Sequence, residues 1–261
     1  MPTQFPTAQQ VRYTDPEMDF DSDSDSGYFD AAGFAADTLS DWHKLAAVID
    51  HTLLKPDATR TQVENLCDEA IRYQFACAMI NPVWAGLAAQ LLSGTGVPLG
   101  VVIGFPLGAS LGSTLRHEAE SLCRLGAKEL DMVISVGQLK SGEHAAVERT
   151  IRGAVEVAHD HGALLKVILE TCLLTVEEKL RASEIAIQAG TDFLKTSTGF
   201  STSGATPGDV ALLRGVAGAR CGVKASGGIR TLADARAMLE AGANRIGASA
   251  SVAMVRELGA E

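Results

Sequence analysis

Eight short apolar runs, an amphipathic stretch after each of them, and glycines closing four of those stretches predict a single-domain α/β chain folded as a (β/α)8 barrel, the TIM-barrel class. Length and composition agree with this. The chain has 261 residues, 46% of them hydrophobic but only 5% aromatic, with 26 glycines. That suits many Val, Ile, Leu and Ala strands packed by helices, and barrels of about 250 residues are routinely one domain. A doubly wound open sheet is the alternative. It would normally carry a Gly-rich dinucleotide loop after its first strand, and Asp50-His51-Thr52-Leu53-Leu54-Lys55-Pro56 is not one.

The first forty residues stand apart from the repeat. They hold eight acids against Arg12 alone, which is −7 of the whole chain's −10 and leaves −3 for everything else. Asp21-Ser22-Asp23-Ser24-Asp25-Ser26 is low-complexity and cannot bury a core, so residues 1–40 read as an acidic, disordered tail and residues 41–261 as the barrel. Phe29, Ala32, Phe34 and Ala35 offer the alternative of a short docked helix, and docking over the barrel mouth would let it gate access.

From Leu45 onward the expected strands cover residues 47–50, 75–81, 99–104, 129–135, 164–170, 193–196, 221–225 and 245–247. The expected helices cover 60–72, 83–92, 113–125, 143–161, 176–189, 207–217, 232–241 and 249–258. Thr59 and Thr231 sit at N-cap positions, and Thr175-Val176-Glu177-Glu178 is a capping box. Gly126, Gly162, Gly190 and Gly242 each end a helix where a positive φ is wanted.

The same composition excludes several function classes. A nearly charge-balanced folded part argues against nucleic-acid binding. No apolar run reaches about 18 residues and the start does not resemble a signal peptide, so a cytoplasmic protein without membrane contact is expected. Cys67, Cys77, Cys123, Cys172 and Cys221 form no CxxC pair and the histidines give neither HxH nor HExxH, so reduced thiols and no metal site are expected.

In a barrel, catalytic groups gather at the C-terminal ends of strands. The polar residues there are Asp50, Asp131, Lys166, Glu170, Lys195 and Lys224. Lys195 ends the run Asp192-Phe193-Leu194-Lys195 and Lys224 ends Cys221-Gly222-Val223-Lys224, one structural unit later. Holding one lysine neutral at pH 7 means destabilising its ammonium by about 4.6 kcal/mol. A second ammonium about 6 Å away supplies roughly 2.8 kcal/mol at an effective dielectric of about 20, and desolvation can provide the remainder. The pair therefore suits an amine nucleophile. Snorkelling to solvent at a strand end is the competing reading for either lysine alone. Asp131 interrupts an apolar run and can move protons or serve as a structural ion pair. Lys166 and Glu170 share strand parity, so charge balance inside the barrel is as open a reading as function. Gly227 and Gly228 follow the seventh strand, Gly247 and Ser249 the eighth at the start of the last helix, and Gly199 the sixth. Backbone amides there make an anion site and favour a phosphorylated substrate.

Taken together, Ile49-Asp50-His51-Thr52-Leu53-Leu54, Gly104-Phe105-Pro106-Leu107-Gly108, Glu129-Leu130-Asp131-Met132-Val133, Leu165-Lys166-Val167-Ile168-Leu169-Glu170-Thr171, Phe193-Leu194-Lys195-Thr196-Ser197-Thr198-Gly199 and Val223-Lys224-Ala225-Ser226-Gly227-Gly228-Ile229-Arg230 resemble the deoxyribose-phosphate aldolases, a family of class I aldolases. The resemblance runs from about residue 45 to the C-terminus. It implies reversible cleavage of 2-deoxy-D-ribose 5-phosphate to D-glyceraldehyde 3-phosphate and acetaldehyde in deoxyribose phosphate catabolism, with no metal or organic cofactor. It implies Lys195 as the Schiff-base lysine, Lys224 as the lysine that lowers its pKa and Asp131 as the proton-relay acid. Asp50, Lys166, Thr198, Gly199, Gly227, Gly228, Gly247 and Ser249 are the implied substrate-binding positions, the last five of them as the phosphate site. Homodimers are common in the family, though no interface is legible here. Two departures stand out. Met79 occupies a position where many members have cysteine, which is expected to leave the lysine chemistry intact and to alter tolerance of reactive aldehydes. Ala250 replaces the second of two paired serines, which removes one phosphate hydrogen bond. A phosphosugar isomerase, a metal-dependent aldolase, or a non-catalytic phosphosugar binder with a decayed site are the competing readings.

Overall fold

The computed structural model describes residues 29–261. Eight strands, β1 (Ile49–Leu53), β2 (Cys77–Ile80), β3 (Leu99–Ile103), β4 (Glu129–Val133), β5 (Leu164–Ile168), β6 (Phe193–Lys195), β7 (Gly222–Ser226) and β8 (Arg245–Ala248), pair in sequence order, and β8 returns to β1. Every pairing is parallel. The expected closed barrel is therefore the observed one.

Successive side chains of a strand face opposite ways. Leu130 and Met132 of β4, Leu165 and Val167 of β5, and Val223 and Ala225 of β7 point outward into one buried cluster shared with the surrounding helices. The alternate residues fill the barrel, and there the lining divides in two. Cys77 and Met79 of β2 and Val102 of β3 form a small apolar cluster with Leu54 and Phe105. The other strands bring acids and lysines. Gly100 belongs to the apolar half because a Cβ on it would lie 2.3 Å from Cys77 Sγ.

Eleven helices surround the strands among the described residues: α1 (Ala31–Thr38), α2 (Trp42–Ala46), α3 (Arg60–Tyr73), α4 (Ala85–Leu92), α5 (Gly112–Leu125), α6 (Val136–Lys140), α7 (His144–Asp160), α8 (Val176–Gln188), α9 (Pro207–Ala217), α10 (Leu232–Glu240) and α11 (Ser251–Glu257). Thr59, Thr175 and Thr231 each close a capping box. Gly126, Gly162, Gly190 and Gly242 all have positive φ, as their positions before strands require.

Strand and helix ends shift by a few residues throughout, and three of the differences from the sequence expectation bear on the frame of the site, each for a local reason. Residues 47 and 48 close α2 through Ala47 N–H to His43 O and Val48 N–H to Leu45 O, so β1 starts at Ile49 and Asp50 lies deep in the strand, not at its end. The last helix starts at Ser251 instead of Ser249, with Ala250 as its cap. The third difference concerns the N-terminal segment. Residues 29–40, expected to belong to a disordered tail, fold onto the barrel as α1, which packs on α10 and α2. Ala35, Thr38 and Leu39 are buried, and the Asp30 carboxylate caps the helix by accepting from Gly33 N–H at 2.9 Å. Arg214 meets the segment at its start: its guanidinium carbon lies 4.1 Å from the Phe29 ring centre. The same guanidinium donates to Gly242 O and Gly218 O at 2.8 Å each and to Cys221 O at 3.1 Å, all on the turns that lead into β7 and β8. Residues 29–40 thus brace the end of the barrel opposite the mouth, so the gating role does not hold for them. The acidic run 21–26 lies outside the described residues.

Candidate active site

Lys195 of β6 and Lys224 of β7 are register partners, and both side chains enter the barrel. Their nitrogens meet at one atom: Lys195 Nζ and Lys224 Nζ each donate to Asp131 Oδ2 at 2.7 Å. The two ammonium positions are therefore no farther apart than twice that distance. Lys224 also donates to Asp50 Oδ2. Lys166 donates to Asp50 Oδ2 at 2.9 Å and to Asp131 Oδ1 at 3.0 Å, and pairs with Glu129 as well. Arg245 completes the set, 3.3 Å from Asp50 Oδ1 and 3.1 Å from Glu129 Oε1.

Four cations thus face three carboxylates in a buried cluster, a surplus of one positive charge. An uncompensated buried charge is costly, and loss of one proton removes it. The number of acidic partners decides which lysine yields. Lys166 touches three carboxylates, Lys224 two and Lys195 one. Burial accordingly pulls the Lys195 pKa down to about 8, with Lys224 and Lys166 pushing the same way and Asp131 opposing them. For Lys166, burial also acts downward, but Asp131, Asp50 and Glu129 outweigh it and hold its pKa well above the usual lysine value. Burial would raise the Asp131 and Asp50 carboxyls, yet the surrounding lysines outweigh it and hold both below the ordinary range. When Lys195 loses its proton, it can still donate one hydrogen to ionised Asp131 while its lone pair is free.

Asp50 and Lys166, expected among the substrate contacts, are fully buried with their charges committed to each other, to Lys224 and to Arg245. Lys166 pairs with Asp131 and Asp50 with Lys224, so each is tied to a member of the lysine cluster. Gly247, expected in the anion corner, is a strand residue whose missing side chain makes room for Lys224: a Cβ there would lie 2.9 Å from Lys224 Cε. Met79 lies on the apolar inner wall beside Cys77. Burial first, then Glu129 and Asp50, push the Cys77 thiol well above its usual pKa, so it stays protonated. Asp50, Cys77 and Glu129 offer possible ligand atoms within 4.8 Å of one another, but Lys166, Lys224 and Arg245 already cover the two carboxylates.

Above this layer the backbones of three loops converge. Gly199 and Gly228 are exposed, Gly227 is half-buried and Ser249 is exposed. Gly227 (φ +83°) is pressed between loops, since a Cβ on it would stand 3.1 Å from Gly204 Cα and 3.3 Å from Gly199 Cα. Ser251 does not substitute for the serine absent at Ala250, because its buried hydroxyl donates to Ala248 O at 2.9 Å. Thr198, expected to touch substrate, has its own polar groups engaged: its N–H and hydroxyl go to Glu170, and its Oγ1 accepts from Phe200 N–H at 3.0 Å. Phe200 meets Phe105 edge-on, ring centres 5.3 Å apart, at the rim.

The description "DeoC/LacD family aldolase" belongs to the family model that matches residues 44–255. The chain belongs to this aldolase family. Within it, the chain is 54% identical over 213 residues to the deoxyribose-phosphate aldolase of Geobacillus sp. (strain WCH70), covering 82% of this chain and 95% of that one. It is 55% identical over 211 residues to the deoxyribose-phosphate aldolase of Listeria monocytogenes, covering 81% and 94%. Among solved structures, the deoxyribose phosphate aldolase of Aeropyrum pernix, described as a unique tetramer, superposes with a TM-score of 0.81 at 39% identity over 87% of this chain and 96% of that one. The aldolase-family match takes in all eight strands and leaves α1 outside it.

Sequence reasoning named Lys195, Lys224 and Asp131, and the structure joins them at one oxygen. It missed Arg245, Glu129 and Gly204 as members of the site. Arg245 and Glu129 had a signal: each is a charged first residue of an apolar strand, two positions before an inward-facing site residue. Gly204 had none, because its place against Gly227 arises from two loops that meet only in the fold.

Proposed function

We propose that the chain is a class I aldolase that reversibly cleaves 2-deoxy-D-ribose 5-phosphate to D-glyceraldehyde 3-phosphate and acetaldehyde. The observation that carries this reading is the sharing of Asp131 Oδ2 by Lys195 and Lys224 at 2.7 Å each, which leaves Lys195 as the least compensated ammonium of the cluster. The names of its relatives support the substrate. Neutral Lys195 attacks the C1 aldehyde of the open-chain sugar, and loss of water from the carbinolamine gives an iminium. The C3 hydroxyl then loses its proton, the C2–C3 bond breaks, and its electron pair moves into the iminium, so that C3 becomes the aldehyde of glyceraldehyde 3-phosphate and C2 an enamine carbon. Protonation at C2 and hydrolysis release acetaldehyde and restore the amine. Asp131 and Lys224 carry the protons through water, being the ionisable pair in contact with the reacting nitrogen.

The exposed backbone at Gly199, Gly228 and Ser249, with Gly227 behind them, receives the phosphate. No described helix is long and apolar enough to cross a membrane and all five cysteines are unpaired, which supports a cytoplasmic location as part of this reading. The tetramer described for the Aeropyrum pernix protein supports self-association of this chain too, which sedimentation would measure.

Borohydride reduction in the presence of acetaldehyde or the sugar phosphate, followed by peptide mass mapping, tests the reading. The expected result is an adduct on Lys195. Lys195→Leu is expected to abolish turnover while keeping the fold, and a near-normal rate in that variant would remove Lys195 from this role.

A further inference from the structure

The β5–β6 ladder continues past both strands with a slip. Leu169 N–H donates to Lys195 O at 2.9 Å, but Thr171 N–H donates to Thr196 O at 3.0 Å where an unbroken parallel ladder would reach Ser197. Two residues after β5 answer one after β6, and the extra residue is Glu170, at φ 57° and ψ 62°. Residues other than glycine rarely adopt this left-handed conformation, and bulges beside functional sites re-aim a side chain.

Strand parity would have aimed Glu170 into the barrel with Lys166, and the bulge turns it aside. Its carboxylate is buried instead under the loop after β6, where Oε1 accepts from Thr198 N–H at 3.3 Å and Oε2 from the Thr198 hydroxyl. The far end of the same loop is fixed by Ala205 N–H, which lies 3.1 Å from Ser226 O and 3.0 Å from Gly227 O. Between these two tethers Gly199 is pressed against Gly227. A carboxylate close to an anion site repels the anion unless donors cover it, and Thr198 supplies two, with the Cys172 thiol 3.9 Å from Oε1 as a weak third.

We propose that Glu170 is a positioning residue for the phosphate end of the substrate, acting through Thr198 to hold the 198–205 loop so that Gly199 meets Gly227. The inference rests on the aldolase reading above. It separates two jobs of one barrel: the lysine cluster performs the chemistry, and the Glu170 tether shapes the corner that recognises phosphate.

The test compares the wild-type chain with Glu170→Ala, Glu170→Gln and Thr198→Val on 2-deoxy-D-ribose 5-phosphate and on unphosphorylated 2-deoxy-D-ribose, alongside borohydride trapping of acetaldehyde on Lys195. For Glu170→Ala, KM for the phosphorylated sugar is expected to rise about tenfold or more, as loss of a charged hydrogen-bond acceptor implies, with kcat within about twofold. Its kcat/KM on the unphosphorylated sugar and its trapping are expected to match wild type. Thr198→Val should shift KM in the same direction by less, and Glu170→Gln, which keeps an acceptor for Thr198 N–H, should recover part of the loss. Equal losses on both sugars, loss of trapping, or an unchanged KM would overturn the assignment, and Thr198→Val carries the same comparison if Glu170→Ala does not fold. A wild-type chain that traps nothing on Lys195 refutes the aldolase reading itself, and the inference with it.

Discussion

Replacing Lys224 by methionine tests the charge count at the centre of the site. The substitution keeps an unbranched side chain one atom shorter and leaves three cations, Lys166, Lys195 and Arg245, opposite the three carboxylates Asp50, Glu129 and Asp131. Each acid keeps at least one cationic partner, so the barrel is expected to fold. With both nitrogens 2.7 Å from one oxygen, the lysines stand no farther apart than twice that distance, and at that limit and an effective dielectric of about 20 their repulsion is about 3 kcal/mol, or about 2 pKa units. Removing Lys224 therefore moves Lys195 from about 8 toward about 10. The sign follows from the chemistry: the neutral amine is the nucleophile, so activity rises as pH passes upward through the Lys195 pKa. At about pH 7.5 the neutral fraction falls from about a quarter to less than about a hundredth. The assay is kcat/KM for deoxyribose 5-phosphate from about pH 6 to about pH 10. The variant should lose activity most at low pH and recover as pH rises. A uniform loss with the limb still near 8 would refute the tuning argument and leave Lys224 as a proton carrier only.

Three further outcomes follow from the same geometry. Gly247→Ala places a Cβ 2.9 Å from Lys224 Cε, so Lys224 must withdraw from Asp131; the acidic limb of the pH profile should move upward, at a stability cost of about 1–3 kcal/mol in denaturant melts. Asp50 and Asp131 have folded pKa values below their unfolded ones near 4, so the stability they contribute is fully present above about pH 4 and lost as pH falls through the lower folded values. Either neutral variant, Asp50→Asn or Asp131→Asn, should flatten that acid dependence in pH-resolved unfolding. Truncation to residue 41 exposes the surface that Ala35, Leu39 and Phe34 cover, and should lower Tm by several degrees while leaving kcat unchanged. An unaltered Tm would show that α1 adds nothing to the fold.

The sequence by itself determined what is local. Strand alternation, helix period, threonine caps and αβ glycines are each written within a few residues, and they were enough for eight βα units and for a closed barrel. The meeting of Lys195, Lys224 and Asp131 was legible because a charged residue in an apolar run conflicts with its surroundings and must have a partner. Tertiary structure decided what depends on register. Whether Asp50 sits at the mouth or in the floor turns on where α2 stops, and the meeting of Lys166 with three acids depends on the stagger of β1, β4 and β5 around the closed sheet. Parity sent Glu170 inward, and a single extra residue in the β5–β6 ladder sent it to Thr198 instead. The docking of α1 brings Phe29 against Arg214, about 180 residues away in sequence. Which lysine gives up its proton most readily depends on seven side chains from six strands, because the cost of a buried charge is set by all its neighbours and not by its own segment.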